Sequence, residues 1–330
     1  MNRRYLYLYF LLVALVLNAC SVEPRDELTF DDSRDSWGKV IELEPEFYAA
    51  EDVSQETISL TKQYYKIASE HWGKYGPMEF WLVGESEIAA RKLDEQYCAL
   101  RKLKSPSVPE EYCLNRGHNF VKYATEGNAG LNLRRNKYEE WSGFLITMTS
   151  KNPSPTEEDY KPVLLHEYFH VYQQAHVHTR DESQRERMSK KNPWWQEGGA
   201  EYMAQLLYSK QEGVREGYFK EVMNRKLQSI KDLKEDQRID QIPYGPNARV
   251  AYDLGSWFIA FLIHKTSEEA YRVGFFNALN DEGFEGSFVK NFGTSSDQML
   301  DAFHNEFLKL STEKKLAILP NLQVGYKEDL

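Results

Sequence analysis

An α+β fold is predicted by three observations. Short strand-like segments, Met78–Val83, Gly130–Leu133 and Trp141–Met148, alternate with helix-periodic stretches only before about residue 178. Beyond that point the periodic segments have helical spacing. The 330-residue chain is 41% hydrophobic, enough for one bilobal domain rather than independent modules. The expected division is residues 1–19 as an export signal, 20–52 as a tether or peripheral segment, and 53–330 as the domain. Its α/β lobe, a small sheet with helices, would end near 178, with a helical lobe following.

Asn2, Arg3 and Arg4 form a basic start, followed by an apolar run from Tyr5 to Leu17 too short to span a bilayer as a helix. Leu17-Asn18-Ala19-Cys20 resembles a bacterial lipobox, in which the cysteine is lipidated and becomes the first residue of the processed chain. That resemblance implies a lipid at Cys20, a membrane reached through several acyl chains, and a place in the bacterial cell envelope. Ser21, rather than Asp, resembles the Gram-negative pattern for outer-membrane sorting. An ordinary cleaved signal with an incidental Cys20 is the alternative. Residues 21 to about 52, rich in Asp and Glu, read as the tether or periphery.

Ser54 to Trp72 has helical spacing, Met78–Val83 reads as a strand, and Glu85 to about Leu103 as a second helix. Cys98 and Cys113 bracket a loop rich in Lys and Pro. An exported chain meets an oxidising compartment, so the two are expected to pair, adding about 3 kcal/mol for a loop of this size. Without CxxC spacing, metal binding by them is the weaker reading. Gly130–Leu133 and Trp141–Met148 then lead into the next helix, and the edge of such a sheet suits pairing with an extended peptide backbone.

That next helix carries His166-Glu167-Tyr168-Phe169-His170. Residues four apart share a helical face, so both imidazoles can reach one metal ion while Glu167 points toward a water on it. With 8 His in the chain, an accidental HExxH has odds on the order of one per cent. The apolar run Pro162-Val163-Leu164-Leu165 marks the helix as buried, with Asp159 a candidate N-cap and Pro162 in the first turn. A surface helix with two incidental histidines is the competing reading.

Two residues compete to be the third ligand. Glu197 follows a charged loop, roughly 179–192, and opens another helix that also carries Glu201 on the same face, placed to orient a ligand imidazole. His176 stands where HExxHxxGxxH would put a third histidine, but Gln173 occupies the position of the turn-forming glycine. Gln173-Gln174-Ala175 continues a helix, so His176 and His178 read as solvated residues at its end.

His166-Glu167-x-x-His170 followed by Trp194-x-x-Glu197-Gly198-x-Ala200-Glu201 resembles the gluzincin metallopeptidases, the thermolysin-like and aminopeptidase-like clan. The resemblance covers roughly residues 60 to 310, with specific motifs only at these two segments. It implies a bilobal fold, one Zn2+ held by His166, His170 and Glu197, a peptide or protein substrate, and Glu167 as general base. It also implies an oxyanion donor on a later helix. Ala248–Phe258 resembles that helix, making Tyr252 the choice, with Tyr244, Arg249 and His264 also possible and a core-lining role for Tyr252 open as well. Beyond it, Ser256–His264, Glu268–Leu279 and Ser296 to about Leu310 read as helices. Gly76-Pro77-Met78-Glu79-Phe80 is similar to an aminopeptidase exopeptidase motif, but it lies about ninety residues ahead of His166, outside the family spacing, so Glu79 receives no role.

A net charge of −10 argues against nucleic acid as a partner, and the basic cluster Arg185, Arg187, Lys190 and Lys191 is diluted by acids as in a solvated loop. The functional expectation is zinc-dependent peptide hydrolysis by a lipid-anchored envelope protein. Two further classes compete with it: a non-peptidase hydrolase with the same chemistry, and a lipoprotein that binds zinc for binding or assembly without catalysis. The presence of Glu167 favours catalysis, because a structural metal site has no use for a base.

Overall fold

The computed structural model describes residues 27–32, 35–116 and 119–321. The expected export signal (residues 1–19), Cys20 and Ser21 lie outside the described residues. The N-terminal half runs β1 (Glu46–Ala49), α1 (Gln55–Trp72), β2 (Met78–Val83), α2 (Glu87–Lys104), α3 (Glu110–Arg116), α4 (Phe120–Glu126), β3 (Ala129–Arg134) and β4 (Gly143–Thr149). Helices follow: α5 (Tyr160–Ala175), α6 (Glu182–Met188), α7 (Gln196–Ser209), α8 (Tyr218–Lys226), α9 (Ala248–Lys265), α10 (Phe276–Phe292), α11 (Ser296–Asn305) and α12 (Thr312–Leu316). The fold is α+β.

Among the described residues the sheet has the order β1-β2-β4-β3. The first three strands are parallel, and β3 joins β4 antiparallel as an outer strand. β2 and β4 are buried along their whole length, which explains their near-continuous apolar sequences. α5 packs against β3 and β4 of the sheet and against α1 and α7. Almost all of α5 is therefore buried, and its sequence is apolar around most of its circumference.

Local chemistry sets several boundaries. Ser54 and Ser86 accept from the amides of Thr57 and Ala89, capping α1 and α2. Asp159 stands at the N-cap position of α5 but makes no side-chain cap bond, so that expectation holds for its position only. Cys98 and Cys113 are joined by a disulfide with Cα atoms 5.5 Å apart, tying α2 to α3. Among the described residues no helix is long and apolar enough to cross a membrane.

Three sequence expectations need correction. Residues before 53 are more than a tether: β1 pairs with β2, Trp37 is buried and stacks on Phe144, and Asp35 pairs with Arg135 and Arg180. The charged stretch 179–192 is not simply a solvated loop, since it contains α6 and buries Arg185, which donates to the carbonyls of Arg135 and Thr179. His176 is buried rather than solvated. Toward the C-terminus α9 is continuous from Ala248, a π-helical turn at Ala270–Phe275 leads into α10, and α11 stops at Asn305.

Candidate metal centre

His166 and His170 project from the middle of α5, and Glu197 comes from the first turn of α7. The buried Trp194 and Trp195 fix the entry to α7 against the helical half, where they meet Phe258 and Phe275. The first turn of α7 then meets α9 where Gly198 lies against the backbone of Gly255. Among the described residues these three form the group able to hold a metal ion.

The donor spacing fits such an ion. His166 Nε2 lies 3.2 Å and His170 Nε2 3.1 Å from Glu197 Oε2, with the two nitrogens 3.1 Å apart. Ligands roughly 2.0–2.1 Å from a tetrahedral ion lie about 3.3 Å from one another. The second nitrogen of each ring is already committed. His166 Nδ1 faces Glu201 Oε2 at 3.3 Å, and His170 Nδ1 faces Gln173 Oε1 at 2.7 Å. Each acceptor places the ring proton on Nδ1 and leaves the Nε2 lone pair toward the shared point. Two nitrogen donors and one carboxylate suit a divalent transition metal with an open fourth position.

Electrostatics agrees with this geometry. Burial alone would push His166 toward its neutral form, but Glu197 and Glu201 outweigh it and raise its pKa to about 10. His170 is also raised despite burial, through Glu197. Burial opposes ionisation of Glu197 and Glu201 too, yet the histidines hold Glu197 well below the ordinary range, and Lys226 with His166 does the same for Glu201. A site that attracts protons in this way attracts a cation in their place.

Glu167 sits beside the ligands, 8% exposed. Burial raises its carboxyl pKa, the two histidines oppose that, and a hydrogen bond from the Leu131 backbone on β3 gives partial support. The base candidate thus touches the outer strand of the sheet.

Two tyrosines approach Glu197. Tyr244 donates to Glu197 Oε1 at 2.8 Å. The ring of Tyr252 stacks with that of His166 at 6.5 Å, 5° from parallel, and its hydroxyl also interacts with Glu197. Burial and then the Glu197 charge raise both phenol pKa values, so both remain donors at neutral pH. Among the described residues no hydrogen bond or ion pair joins Arg249 or His264 to His166, His170 or Glu197. The Arg249 side chain extends 89% exposed and reaches Asp253 at 3.6 Å. His264 is exposed twelve residues beyond Tyr252 on the same helix, about 18 Å along its axis.

His176 is not brought to the three ligands. Its Nδ1 bonds the Tyr172 carbonyl at 2.7 Å, and its ring packs among Tyr75, Tyr172 and Phe276. Burial lowers its pKa.

Sequence reasoning missed Gln173, Lys226 and Asp253 as parts of this neighbourhood, and it ranked Tyr244 below Tyr252 without foreseeing its bond to Glu197. Gln173 carried a usable signal: it lies three residues after His170, on the same helical face. Lys226 and Asp253 carried none, because their pairing joins helices distant in sequence. Compared with protein-family models, curated proteins and solved structures, the chain matches none.

Proposed function

We propose that this protein is a gluzincin-like zinc metallopeptidase, hydrolysing peptide bonds at a bacterial cell envelope to which a lipid on Cys20 anchors it. The convergence of His166, His170 and Glu197, with Glu167 beside them, carries the reading. Nitrogen and carboxylate donors of this kind favour zinc among common biological cations. The arrangement of α5 and α7 between a sheet-bearing half and a helical half supports the bilobal gluzincin layout.

When bound, zinc would supply Lewis acidity toward a substrate carbonyl and lower the pKa of water. The residues of the chain do the rest. Glu201 and Gln173 hold the ligand rings in orientation through their Nδ1 protons. Glu167 takes a proton from the attacking water and returns it to the leaving amine, and its burial makes the protonated form accessible for that return. Tyr252 offers a phenol to the developing oxyanion. The outer strand β3, bonded to Glu167 through Leu131, offers backbone groups to an extended substrate. The lipobox-like Leu17–Cys20 and the following Ser21 support anchoring and outer-membrane sorting.

The test combines metal content with peptide-library profiling. Wild type should carry about one zinc per chain and cleave peptides. Glu167→Gln should keep zinc and lose about 100-fold or more of the activity. A zinc-loaded wild type that cleaves nothing would support the non-catalytic lipoprotein instead.

A further inference from the structure

Lys226 ends α8 in a place that suits a charged side chain poorly. Its side chain is only 13% exposed, whereas that of Arg225 beside it is 63% exposed. Removing an ammonium from water is costly unless it is paired, and here two carboxylates from different helices provide the pairing. Lys226 Nζ lies 2.8 Å from Glu201 Oε1 on α7 and 3.1 Å from Asp253 Oδ1 on α9.

The ammonium has a geometric consequence at each end. At Glu201 it shares Oε1 with the side-chain amide of Gln205, which donates at 3.1 Å and is itself held by the Tyr218 hydroxyl at 2.8 Å. With Oε1 fixed twice, Oε2 is the oxygen left to face His166 Nδ1 at 3.3 Å. At Asp253 the second oxygen accepts from Ser229 at 2.6 Å, so the carboxylate cannot turn away from Lys226. Asp253 directly follows Tyr252, whose ring lies against His166. One ammonium therefore restrains the orienting partner of His166 and the helix that presents Tyr252.

We propose that Lys226 is a positioning residue of the metal centre, setting the orientation of the His166 ring through Glu201 and the placement of α9 through Asp253. The inference rests on the metal reading above, and it concerns a residue whose ammonium pairs with Glu201 and Asp253 rather than with the three candidate ligands. Losing an outer partner of a ligand histidine typically weakens metal binding by roughly 10- to 100-fold.

The experiment uses the full chain, stripped of metal and titrated with zinc against a competing chelator. The same proteins are loaded with cobalt(II), whose visible absorption reports ligand geometry. Lys226→Met should weaken zinc binding about 10- to 100-fold and alter the cobalt spectrum, and Lys226→Arg should restore most of both. A role confined to stability would lower the unfolding midpoint but leave the spectrum of the folded fraction unchanged, and that result would overturn the proposal. So would zinc affinity within about twofold of wild type in Lys226→Met. If Lys226→Met does not fold, Lys226→Gln combined with Asp253→Asn keeps hydrogen bonding while removing the charge pair, and is judged by the same two results. A wild-type chain that binds no zinc would remove the metal reading itself. Equal binding by wild type and variant removes only the role of Lys226.

Discussion

Gly198 of α7 and Gly255 of α9 meet backbone to backbone: a methyl group on Gly198 would lie 2.6 Å from the Gly255 Cα. Gly255 in turn has no room for a side chain against the Trp194 carbonyl. This contact lets α7 approach α9 closely enough for Glu197 and Tyr252 to share one site. Gly198→Ala should force the helices apart, costing about 1–3 kcal/mol of stability and lowering zinc content. Denaturant unfolding and metal analysis of the purified variant would check it. A variant as stable and as metal-loaded as wild type would mean that the contact is slack.

Glu197 and His176 should behave oppositely on substitution. Glu197→Gln removes the anionic donor and should strip zinc from the protein. His176→Ala should leave zinc bound yet cost about 2–4 kcal/mol, because it empties a buried position among aromatic rings. Metal retention after dialysis, set beside thermal unfolding, separates the two. Loss of zinc from His176→Ala with retention in Glu197→Gln would transfer the third ligand to a histidine.

The two phenols near Glu197 should divide their effects. Tyr252→Phe should lower kcat by about 10- to 1000-fold with little change in KM or zinc content, as for a donor used only in the transition state. Tyr244→Phe removes a hydrogen bond to the ligand carboxylate and should mainly weaken zinc binding. Steady-state kinetics at saturating zinc tells them apart. Unchanged kinetics in Tyr252→Phe with a fall in Tyr244→Phe would reassign the oxyanion donor.

Asp94 should make the fold less stable as pH rises from 3.8 to about 6. Burial raises its pKa from 3.8 to about 6, although the amides of Phe120 and Val121 favour its charged form. The folded chain therefore binds this proton more tightly than the unfolded chain. The resulting stabilisation is complete below pH 3.8 and is lost as pH climbs to about 6. Asp94→Asn does not titrate, so its stability relative to wild type should improve across that window and level off above it. Urea unfolding of both proteins between about pH 4 and 7 would show the trend, and a difference constant with pH would refute it.

The sequence made His166 and His170 readable because both lie on one helix, where spacing fixes geometry. Glu197 was readable through its local Trp-x-x-Glu-Gly context, and β2 through its uninterrupted apolar run. Lys226 and Arg185 were not, because a lysine or arginine in a charged stretch looks solvated until a distant segment covers it. His176 misled for the same reason: its position at a helix end said nothing about Tyr75 and Phe276 closing over it. β1 was hidden in an acidic segment because four residues at a sheet edge leave almost no periodic signal.

The early segment clasped onto the sheet decides where the chain can be shortened. A truncation beginning at residue 51 would uncover the edge of β2, whose Phe80 and Trp81 pack beneath Phe47 and Tyr48 of β1. It would also take Asp35 away from Arg135 and Arg180. Unpaired amides along an aromatic strand are an invitation to self-association, so the shortened protein should aggregate. A truncation beginning at residue 27 keeps the clasp, including the bond from the Leu28 amide to the Lys137 carbonyl, and should stay monodisperse.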